Sequence, residues 1–239
     1  SDLGFLLEGI SRNLEAARLG LAEPPGLKLG KHLQSLAERG IMADSHVNRV
    51  RILAAAAADA RMGGVKVPIF GCFGSGNHGI TFFITVGETG RHLGKSDEEI
   101  AKALALGLLV IGVIKTRTGI LTPHCGCAVA AGTGAAAAIT WLLGGDAGQI
   151  ESAVQLMTAN LTGMLCDGAK YGCALKIATS AGIAIETAYL ALAGATVPRG
   201  NGIVGGSFQE TMDNLETVTE RGMKDVDQAV LDVLLSGQD

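Results

Sequence analysis

The apolar and polar positions along the chain mostly follow the spacing of buried helices. Apolar residues recur at helical intervals, and glycines or capping residues mark the ends of most such segments. This pattern predicts a mainly α fold, with one compact multi-helix domain over residues 1–239. In the first half of the chain the predicted helices run from a cap at Asp2 to about Gly20, to an end near Gly40, from a cap at Asp44 to Gly63, and from the capping box of Ser96 and Glu99 to Lys115. Three more are predicted over residues 128–143, 149–161 and 173–193. Two further helices are predicted to start at Ser207 and at Asp225.

Two short segments have a strand-like composition instead. Residues 65–70 and 80–86 are rich in β-branched and aromatic side chains, and a glycine-rich loop separates them. The pattern therefore predicts a short β-hairpin around residues 71–79.

The composition supports helices that approach closely through small side chains. Apolar residues make up 48% of the 239 residues, charged residues only 18%, and 35 residues are glycine. A chain of this length can bury one substantial core without disulfides. With a net charge of −4 and 19 scattered basic residues, no basic stripe is present, so nucleic acid is not an expected partner.

A membrane protein is not expected from the hydropathy pattern. The charge-free stretch between Arg117 and Asp146 is interrupted by Pro123 and several glycines, and Lys176 and Glu186 interrupt the run after residue 173. Residues 1–20 have the pattern of an amphipathic helix rather than of a signal peptide. The expected location is the cytoplasm.

The cysteines are clustered, and their number is odd. Four of the five lie between Cys125 and Cys173. Without a secretory signal, clustered thiols indicate metal or redox chemistry in a reducing compartment rather than a disulfide framework.

The glycine-rich loop 71–79 is the first candidate site. Its glycines match a dinucleotide-binding fingerprint, but the chain lacks the alternating strands that such a fold requires. Two interpretations remain: a tight turn, or a nest of backbone N–H groups that binds a small carboxylate. For the second, the candidate substrate-binding residues are Ser75, Gly76, Asn77 and His78.

The cysteine segments 122–127 and 166–173 form the second candidate site. On a straight helix Cys166 and Cys173 would lie ~10.5 Å apart along the axis, too far to share one ion. Two glycines between them favour a loop that opens a helix at Cys173, which would let both sulfurs converge with Cys125 or Cys127. The residue types fit an iron–sulfur cluster, a zinc site, or buried packing and redox thiols.

Three motifs together carry a family resemblance. They are GSGNHGI at 74–80, HCGCAVAAG at 124–132 and CDGAKYGCALK at 166–176. With them the sequence resembles the L-cysteine desulfidase family, which is related to the α-domain of bacterial iron–sulfur L-serine dehydratases. The similarity extends over most of the chain, and the long cysteine motif is its most specific part.

The resemblance implies a largely helical domain with an oxygen-sensitive four-iron four-sulfur (4Fe-4S) cluster held by three cysteines. Cys166 and Cys173 match two ligand positions, and Cys125 is favoured as the third, with Cys127 as the alternative. The implied lyase activity is β-elimination of L-cysteine to pyruvate, ammonia and sulfide, or of L-serine to pyruvate and ammonia. The 74–79 loop matches the family's substrate-binding turn, with His78 where glutamine is common.

The resemblance also implies a missing component. Family members carry an N-terminal region with a Gly-Cys-Thr-Glu-Pro motif that supplies a catalytic cysteine, and this chain has no such motif. The expected partners are therefore that region, from the same enzyme or a separate subunit, the amino-acid substrate, and further copies of the chain. The chain by itself is expected to fold without turning over.

The general base is not assigned by the sequence. His78, His124 and Lys170 are candidates only through their positions near the motifs, and a lysine base would need a strongly lowered pKa. Asp167 and Lys170 lie between two cysteines, where they either tune the cluster or form a plain salt bridge. The alternative to an enzyme is a non-catalytic metal-binding or amino-acid-sensing module.

Overall fold

The structure is a computed structural model that describes residues 3–237. Within these residues it contains helices, turns and loops but no β-strand, so the prediction of a mainly α, multi-helix fold is confirmed. Three π-helical turns, Ile80–Ile84, Cys127–Gly132 and Val218–Gly222, are each continuous with a neighbouring α-helix. The α-helices are α1 (Phe5–Ala22), α2 (Leu29–Glu38), α3 (His46–Met62), α4 (Gly76–Gly79), α5 (Thr85–His92), α6 (Asp97–Thr118), α7 (Thr133–Leu142), α8 (Ala147–Leu161), α9 (Cys173–Leu192), α10 (Phe208–Thr217) and α11 (Val226–Ser236).

Side-chain caps fix two of the predicted helix starts. The Ser96 hydroxyl accepts a hydrogen bond from the Glu99 N–H at 3.3 Å, and the Glu99 carboxylate accepts one from the Ser96 N–H at 2.9 Å. This reciprocal capping box begins α6, which continues beyond the predicted end at Lys115. Ser207 caps α10 in the same manner, accepting from the backbone of the third helical residue at 3.1 Å.

Two other predicted caps are wrong. Ser45, not Asp44, caps α3, because its extended backbone places the hydroxyl 3.3 Å from the Asn48 N–H. Asp225 precedes α11 but makes no side-chain capping bond there. The cap predicted at Asp2 lies outside the described residues.

The predicted β-hairpin is also wrong. Residues 80–86 are helical and completely buried, and residues 65–70 have an irregular backbone. Between them, Cys72 and Ser75 close a tight turn through two reciprocal backbone hydrogen bonds of 3.1 Å. A short apolar run has the same composition in a buried helix as in a strand, which is why the pattern misled the prediction.

A buried side chain, rather than a neighbouring strand, satisfies the backbone at the end of the irregular segment. The amide of Asn13, fully buried in α1, donates to the Phe70 carbonyl at 3.0 Å and accepts from the Phe70 N–H at 2.9 Å. This pair of bonds holds residues 65–70 against α1 and positions the start of the glycine-rich loop.

The helices pack around α3, α9 and α7. Helix α3 lies against α1 and α2 on one side and against α9 on the other, while α9 also packs on α7. Close approach depends on glycine: a Cβ on Gly20 would lie 2.0 Å from the Ala56 carbonyl oxygen, and one on Gly30 would lie 2.6 Å from the Ala56 Cβ. The small residues noted in the composition therefore serve as contact points between helices.

One helix, α9, is long and apolar enough to cross a membrane by length and composition. Of its most apolar window, 56% is buried inside the fold. It packs against α3, α7 and α8, and core helices of non-membrane proteins meet the same two criteria. Its apolar side chains thus have protein neighbours on the inner face.

Candidate functional site

Four cysteines from the two predicted segments line one cavity of about 300 Å³. Cys125 and Cys127 contribute from the start of the π-helical turn before α7, Cys166 from the following loop, and Cys173 from the first residue of α9. Asn77 and its neighbours in the glycine-rich turn line the same cavity. The structure therefore brings together the candidate residues of both sequence-predicted sites.

Backbone hydrogen bonds fix the two cysteine segments side by side. The Cys125 N–H donates to the Met164 carbonyl at 2.6 Å, and the Cys166 N–H donates to the Pro123 carbonyl at 2.7 Å. This short antiparallel bridge places Cys125 and Cys166 on adjacent backbones at the cavity wall.

The segment between Cys166 and Cys173 is a loop, as the glycines predicted. Gly168 has a φ of +87°, a conformation that favours glycine, and the chain turns there before α9 begins. The Cys173 sulfur lies 3.7 Å from the Gly168 carbonyl oxygen and 3.5 Å from the Lys170 nitrogen. The loop thus folds against the Cys173 sulfur, which contacts its backbone at both residues.

Cys125 and Cys127 interact directly and differ in acidity. The hydrogen bond from the Cys127 thiol and the backbone N–H groups of Cys127 and Ala128 lower the pKa of Cys125 to about 6, against the effect of burial. The same side-chain hydrogen bond, together with burial, raises the pKa of Cys127. Cys125 is therefore the sulfur whose thiolate the surrounding chain stabilises.

The glycine-rich turn is the start of a helix. Ser75 caps α4 by accepting from the His78 N–H at 3.3 Å, so its hydroxyl has a structural partner. Asn77 is buried, and its side-chain oxygen accepts from the Arg61 guanidinium at 3.1 Å. Gly76 leaves room for that arginine, because a Cβ there would lie 2.4 Å from the Arg61 Nε.

Two buried histidines line the cavity without polar partners. The Nδ1 of His78 and both ring nitrogens of His124 have no hydrogen-bond partner within the described part of the chain. Burial, assisted by the positive charge of Lys115, lowers the pKa of His78 to about 3 and that of His124 to about 4. Both rings are therefore neutral at physiological pH, and these nitrogens are buried without a partner.

The Asp167–Lys170 pair predicted from sequence forms an ion pair at the surface. The Asp167 carboxylate also pairs with Lys176, whose ammonium donates to the Leu165 carbonyl at 2.6 Å. Burial raises the pKa of Asp167, but hydrogen bonds from Lys170 and Lys176 outweigh it and bring the value to about 2. These contacts brace the cysteine loop.

Three cationic residues of the cavity wall were missed by sequence reasoning: Arg61, Lys115 and Lys176. Lys115 stands at the end of α6, where a basic residue ordinarily complements the helix dipole. The sequence did contain a signal that Lys115 is buried. This lysine directly follows an almost continuous apolar run, and a residue in that position has few exposed faces. Only the structure shows that Lys115 is 5% exposed.

The described donor groups of the cavity do not form a site for a single metal ion. Within residues 3–237, no three His, Cys, Asp or Glu side chains are grouped so as to hold one ion. Four thiols around a shared cavity are soft donors of the kind that both iron–sulfur clusters and zinc use.

Comparison with known proteins places the chain in a family. Residues 2–232 match the family model described as "Serine dehydratase alpha chain". The chain belongs to the serine dehydratase alpha chain family. This confirms the relation to serine dehydratases drawn from the three motifs, at the level of the family.

The curated relatives carry a less specific name. UPF0597 proteins from Clostridioides difficile (strain 630) and Desulforapulum autotrophicum are each 44% identical to this chain, over 233 and 235 residues. One from Alkaliphilus oremlandii is 42% identical over 233 residues. Each alignment covers 98% of this chain but only 53–55% of the relative, so the chain spans about half the length of these proteins. No solved structure matches the chain.

Proposed function

We propose that this chain is the cysteine-bearing half of an iron–sulfur lyase that eliminates the β-substituent of L-cysteine or L-serine. Cysteine would yield pyruvate, ammonia and sulfide, and serine would yield pyruvate and ammonia. The observation that carries the proposal is the convergence of four cysteines and the Asn77 turn on one cavity, in a member of the serine dehydratase alpha chain family.

In this proposal Cys125, Cys166 and Cys173 hold a four-iron four-sulfur cluster. The reciprocal backbone bonds that set Cys125 beside Cys166 favour it over Cys127, which stays the alternative. When bound, a cluster with one iron free of cysteine supplies a Lewis acid for the leaving group of the substrate. The Asp167–Lys176 ion pair supports the ligand loop from outside and so limits its movement.

The chain's own residues bind and orient the amino acid. The turn of Ser75, Gly76 and Asn77 presents amide groups to the cavity, and Arg61 fixes the Asn77 side chain. The neutral ring of His78 lies close to the backbone of Gly126, where a Cβ would be 2.2 Å from its Nε2. The buried ring thereby fills space beside the cysteines that water would otherwise occupy.

A general base is the component that these residues do not provide. Burial makes His78 and His124 weak bases at neutral pH, and Lys170 is exposed and paired with Asp167. We infer that the base for the α-proton comes from a region corresponding to the rest of the longer relatives, either in the same polypeptide or in a separate subunit.

Exposed apolar side chains at the cavity mouth support such a covering partner. Ile120 is 62% exposed and Leu121 is 90% exposed, and both line the cavity. Apolar groups clustered at the rim of a site are typical of protein interfaces. The same surface would promote self-association into homo-oligomers, and an oxygen-sensitive cluster would require a reducing compartment such as the cytoplasm.

Anaerobic reconstitution tests the cluster. The expected result is about four irons and four sulfides per chain, lost in Cys166→Ser and Cys173→Ser, in keeping with soft thiolate ligation. Cys72→Ser is the matched control, since Cys72 is a buried cysteine that does not line the cavity. Full cluster content in both ligand variants would overturn the assignment of Cys166 and Cys173 as ligands. Stoichiometric zinc in place of iron and sulfide would show that the cavity is a zinc site instead.

Turnover is tested separately, by pyruvate release from L-cysteine and L-serine. Supplying the remaining region of a longer relative in trans should raise the rate from background. Full activity of the chain alone would place the base on one of its own residues. Binding of amino acid without any pyruvate, with the partner present, would favour the non-catalytic sensing module.

A further inference from the structure

The charges that line the cavity are all of one sign. Arg61, Lys115 and Lys176 lie in its wall, and no Asp or Glu among residues 3–237 lines it. Lys176 is neutralised from behind by Asp167. No carboxylate of the described chain lies within the 4.0 Å ion-pair distance of Arg61 or Lys115. Two cations therefore face the cavity without a carboxylate partner, and the acidic groups nearest to Lys115 are the cysteine thiols.

Lys115 is buried at the centre of the wall. Its ammonium donates to the Ile120 carbonyl at 2.9 Å, which is its one hydrogen bond to the described chain. A Cβ on Gly126 would lie 3.0 Å from the Lys115 nitrogen, so the ammonium stands over the backbone between Cys125 and Cys127. A buried ammonium is stabilised by anions around it; the cysteine thiols lie on one side of Lys115, and a carboxylate bound in the cavity would supply a second anionic partner.

Arg61 lies in the last turn of α3 and lines the same cavity. Its Nη1 donates to Asn77 at 3.1 Å and contacts the Met62 sulfur at 3.9 Å. Its Nε and Nη2 have no acceptor within the described chain, although the guanidinium is held in place by Asn77 and by the bare backbone of Gly76. An oriented guanidinium with free N–H groups is suited to a planar carboxylate.

We propose that Arg61 and Lys115 together bind the α-carboxylate of the amino-acid substrate. The inference rests on the proposed function for the identity of that substrate. It changes the part assigned to the glycine-rich turn: Gly76 and Asn77 position Arg61, and the two cations supply most of the attraction. The cavity then selects amino acids over the corresponding amines that lack a carboxylate.

Equilibrium binding to the cluster-loaded chain tests this pair directly. The probes are L-serine, L-cysteine and their decarboxylated analogues, ethanolamine and cysteamine. We expect binding of the amino acids but not of the amines. Arg61→Gln and Lys115→Met should each weaken amino-acid binding by roughly tenfold to a hundredfold, as for the loss of a charge-assisted hydrogen bond.

Two controls match the variants by helix and residue type. Arg51→Gln removes an arginine of α3 that hydrogen-bonds Asn48 outside the cavity, and Lys102→Met removes an exposed lysine of α6. Both should bind the amino acids like the unmodified chain. If Lys115→Met fails to fold by circular dichroism, Lys115→Arg, which keeps the charge, should retain most of the binding.

The outcomes separate this inference from the proposed function. Normal amino-acid binding by folded Arg61→Gln and Lys115→Met, or binding of the amines as tight as of the amino acids, overturns the carboxylate site even if the cluster is present. Inorganic phosphate that competes as well as L-serine overturns it in favour of a general anion site. Amino-acid binding that depends on both cations, in a chain that reconstitution fails to load with iron and sulfide and that gives no pyruvate with the partner region present, upholds the site and overturns the lyase.

Discussion

The packed helices around Ala56 and the cysteine cavity use small residues for opposite purposes. At Ala56, the glycines of α1 and α2 bring backbones into contact, and a Cβ on Gly20 would strike a carbonyl oxygen at 2.0 Å. At the cavity, Gly126 leaves room for the side chains of His78 and Lys115. One region is closed by backbone packing, and the other is kept open for polar groups.

The two regions also differ in how their polar atoms are satisfied. In the packed region, the buried Asn13 amide makes both of its hydrogen bonds to one backbone residue. In the cavity, His78 and His124 retain ring nitrogens without partners, and Lys115 has no carboxylate partner within the described chain. Buried polar groups are ordinarily paired. Within the described residues the packed region has one unpaired atom, Asp59 Oδ1, whereas the cavity has three, all of them ring nitrogens of His78 and His124.

The largest expected effect concerns the two neighbouring cysteines of the cavity. Cys125→Ser should abolish cluster loading, whereas Cys127→Ser should retain it, because the backbone bonds to Met164 and Pro123 place Cys125 beside Cys166. Iron, sulfide and visible absorbance after anaerobic reconstitution measure the difference. Loss in the Cys127 variant with retention in the Cys125 variant would reverse the assignment.

A glycine of the packed region should affect stability alone. Gly20→Ala forces α1 away from the Ala56 carbonyl, and we expect the free energy of unfolding to fall by about 2–3 kcal/mol. Gly148→Ala is the matched control: Gly148 is exposed in the first turn of α8, and the substitution should stabilise by up to about 1 kcal/mol. Urea unfolding measures both, and equal effects would contradict the close-packing argument.

A polar residue of the cavity should affect catalysis more than stability. In the complete enzyme, Asn77→Ala should lower kcat/KM by the equivalent of about 1–3 kcal/mol, because Arg61 loses its anchor and the turn loses an amide. Asn214→Ala, which removes a side-chain bond to the Ile203 carbonyl far along the chain, should leave kcat/KM unchanged. An unaltered kcat/KM for the Asn77 variant would reduce the turn to a structural element.

The smallest effect concerns a histidine outside the cavity that does have a partner. His46 Nε2 lies 3.0 Å from the Thr89 hydroxyl, and its ring stacks on His92 at 4.1 Å. Burial, with the charges of His92 and Arg49, lowers the pKa of His46 from 6.5 to about 4. Between these values the unfolded chain binds a proton that the folded chain does not, so stability rises with pH through this window.

His46→Gln should remove this dependence of stability on pH, which amounts to about 1–2 kcal/mol in the free energy of unfolding across the window. Thermal unfolding at pH values from 4 to 7 measures it, with His32→Gln on the partly exposed α2 as the control. Glu88 and Arg91 lie near the pair and remain in both proteins. A variant whose stability still rises as steeply with pH would assign the slope to another group.

The helix predictions relied on local rules, because the residues that decide where a helix starts lie within one turn of each other. Ser96 and Glu99 close a capping box whatever the rest of the fold does. The predicted helix start at Cys173 followed from the glycines before it, and its end near the following glycine was predicted as well. Asp44 was wrong because the adjacent Ser45 competes for the same N–H group, and only the backbone angles decide between them.

The predicted hairpin failed for a tertiary reason. Residues 80–86 are apolar on every side, so the sequence contains no periodicity that separates a buried helix from a buried strand. The neighbours decide: a helix preceded by the Ser75 cap satisfies its own backbone, and the Asn13 amide satisfies the Phe70 backbone that a second strand would otherwise need.

The sequence by itself determined the fold class, the helix starts at Ser96 and Ser207, and the three motifs that carry the family relation, since each depends on residues close together in the chain. Tertiary structure decided that Arg61 and Lys115 face the same cavity as the cysteines. These two residues are 54 positions apart, on helices whose direction follows from packing at α3 and α7. What a charged side chain binds can be inferred only when its burial and the absence of a carboxylate partner are known. Both are properties of the assembled helices.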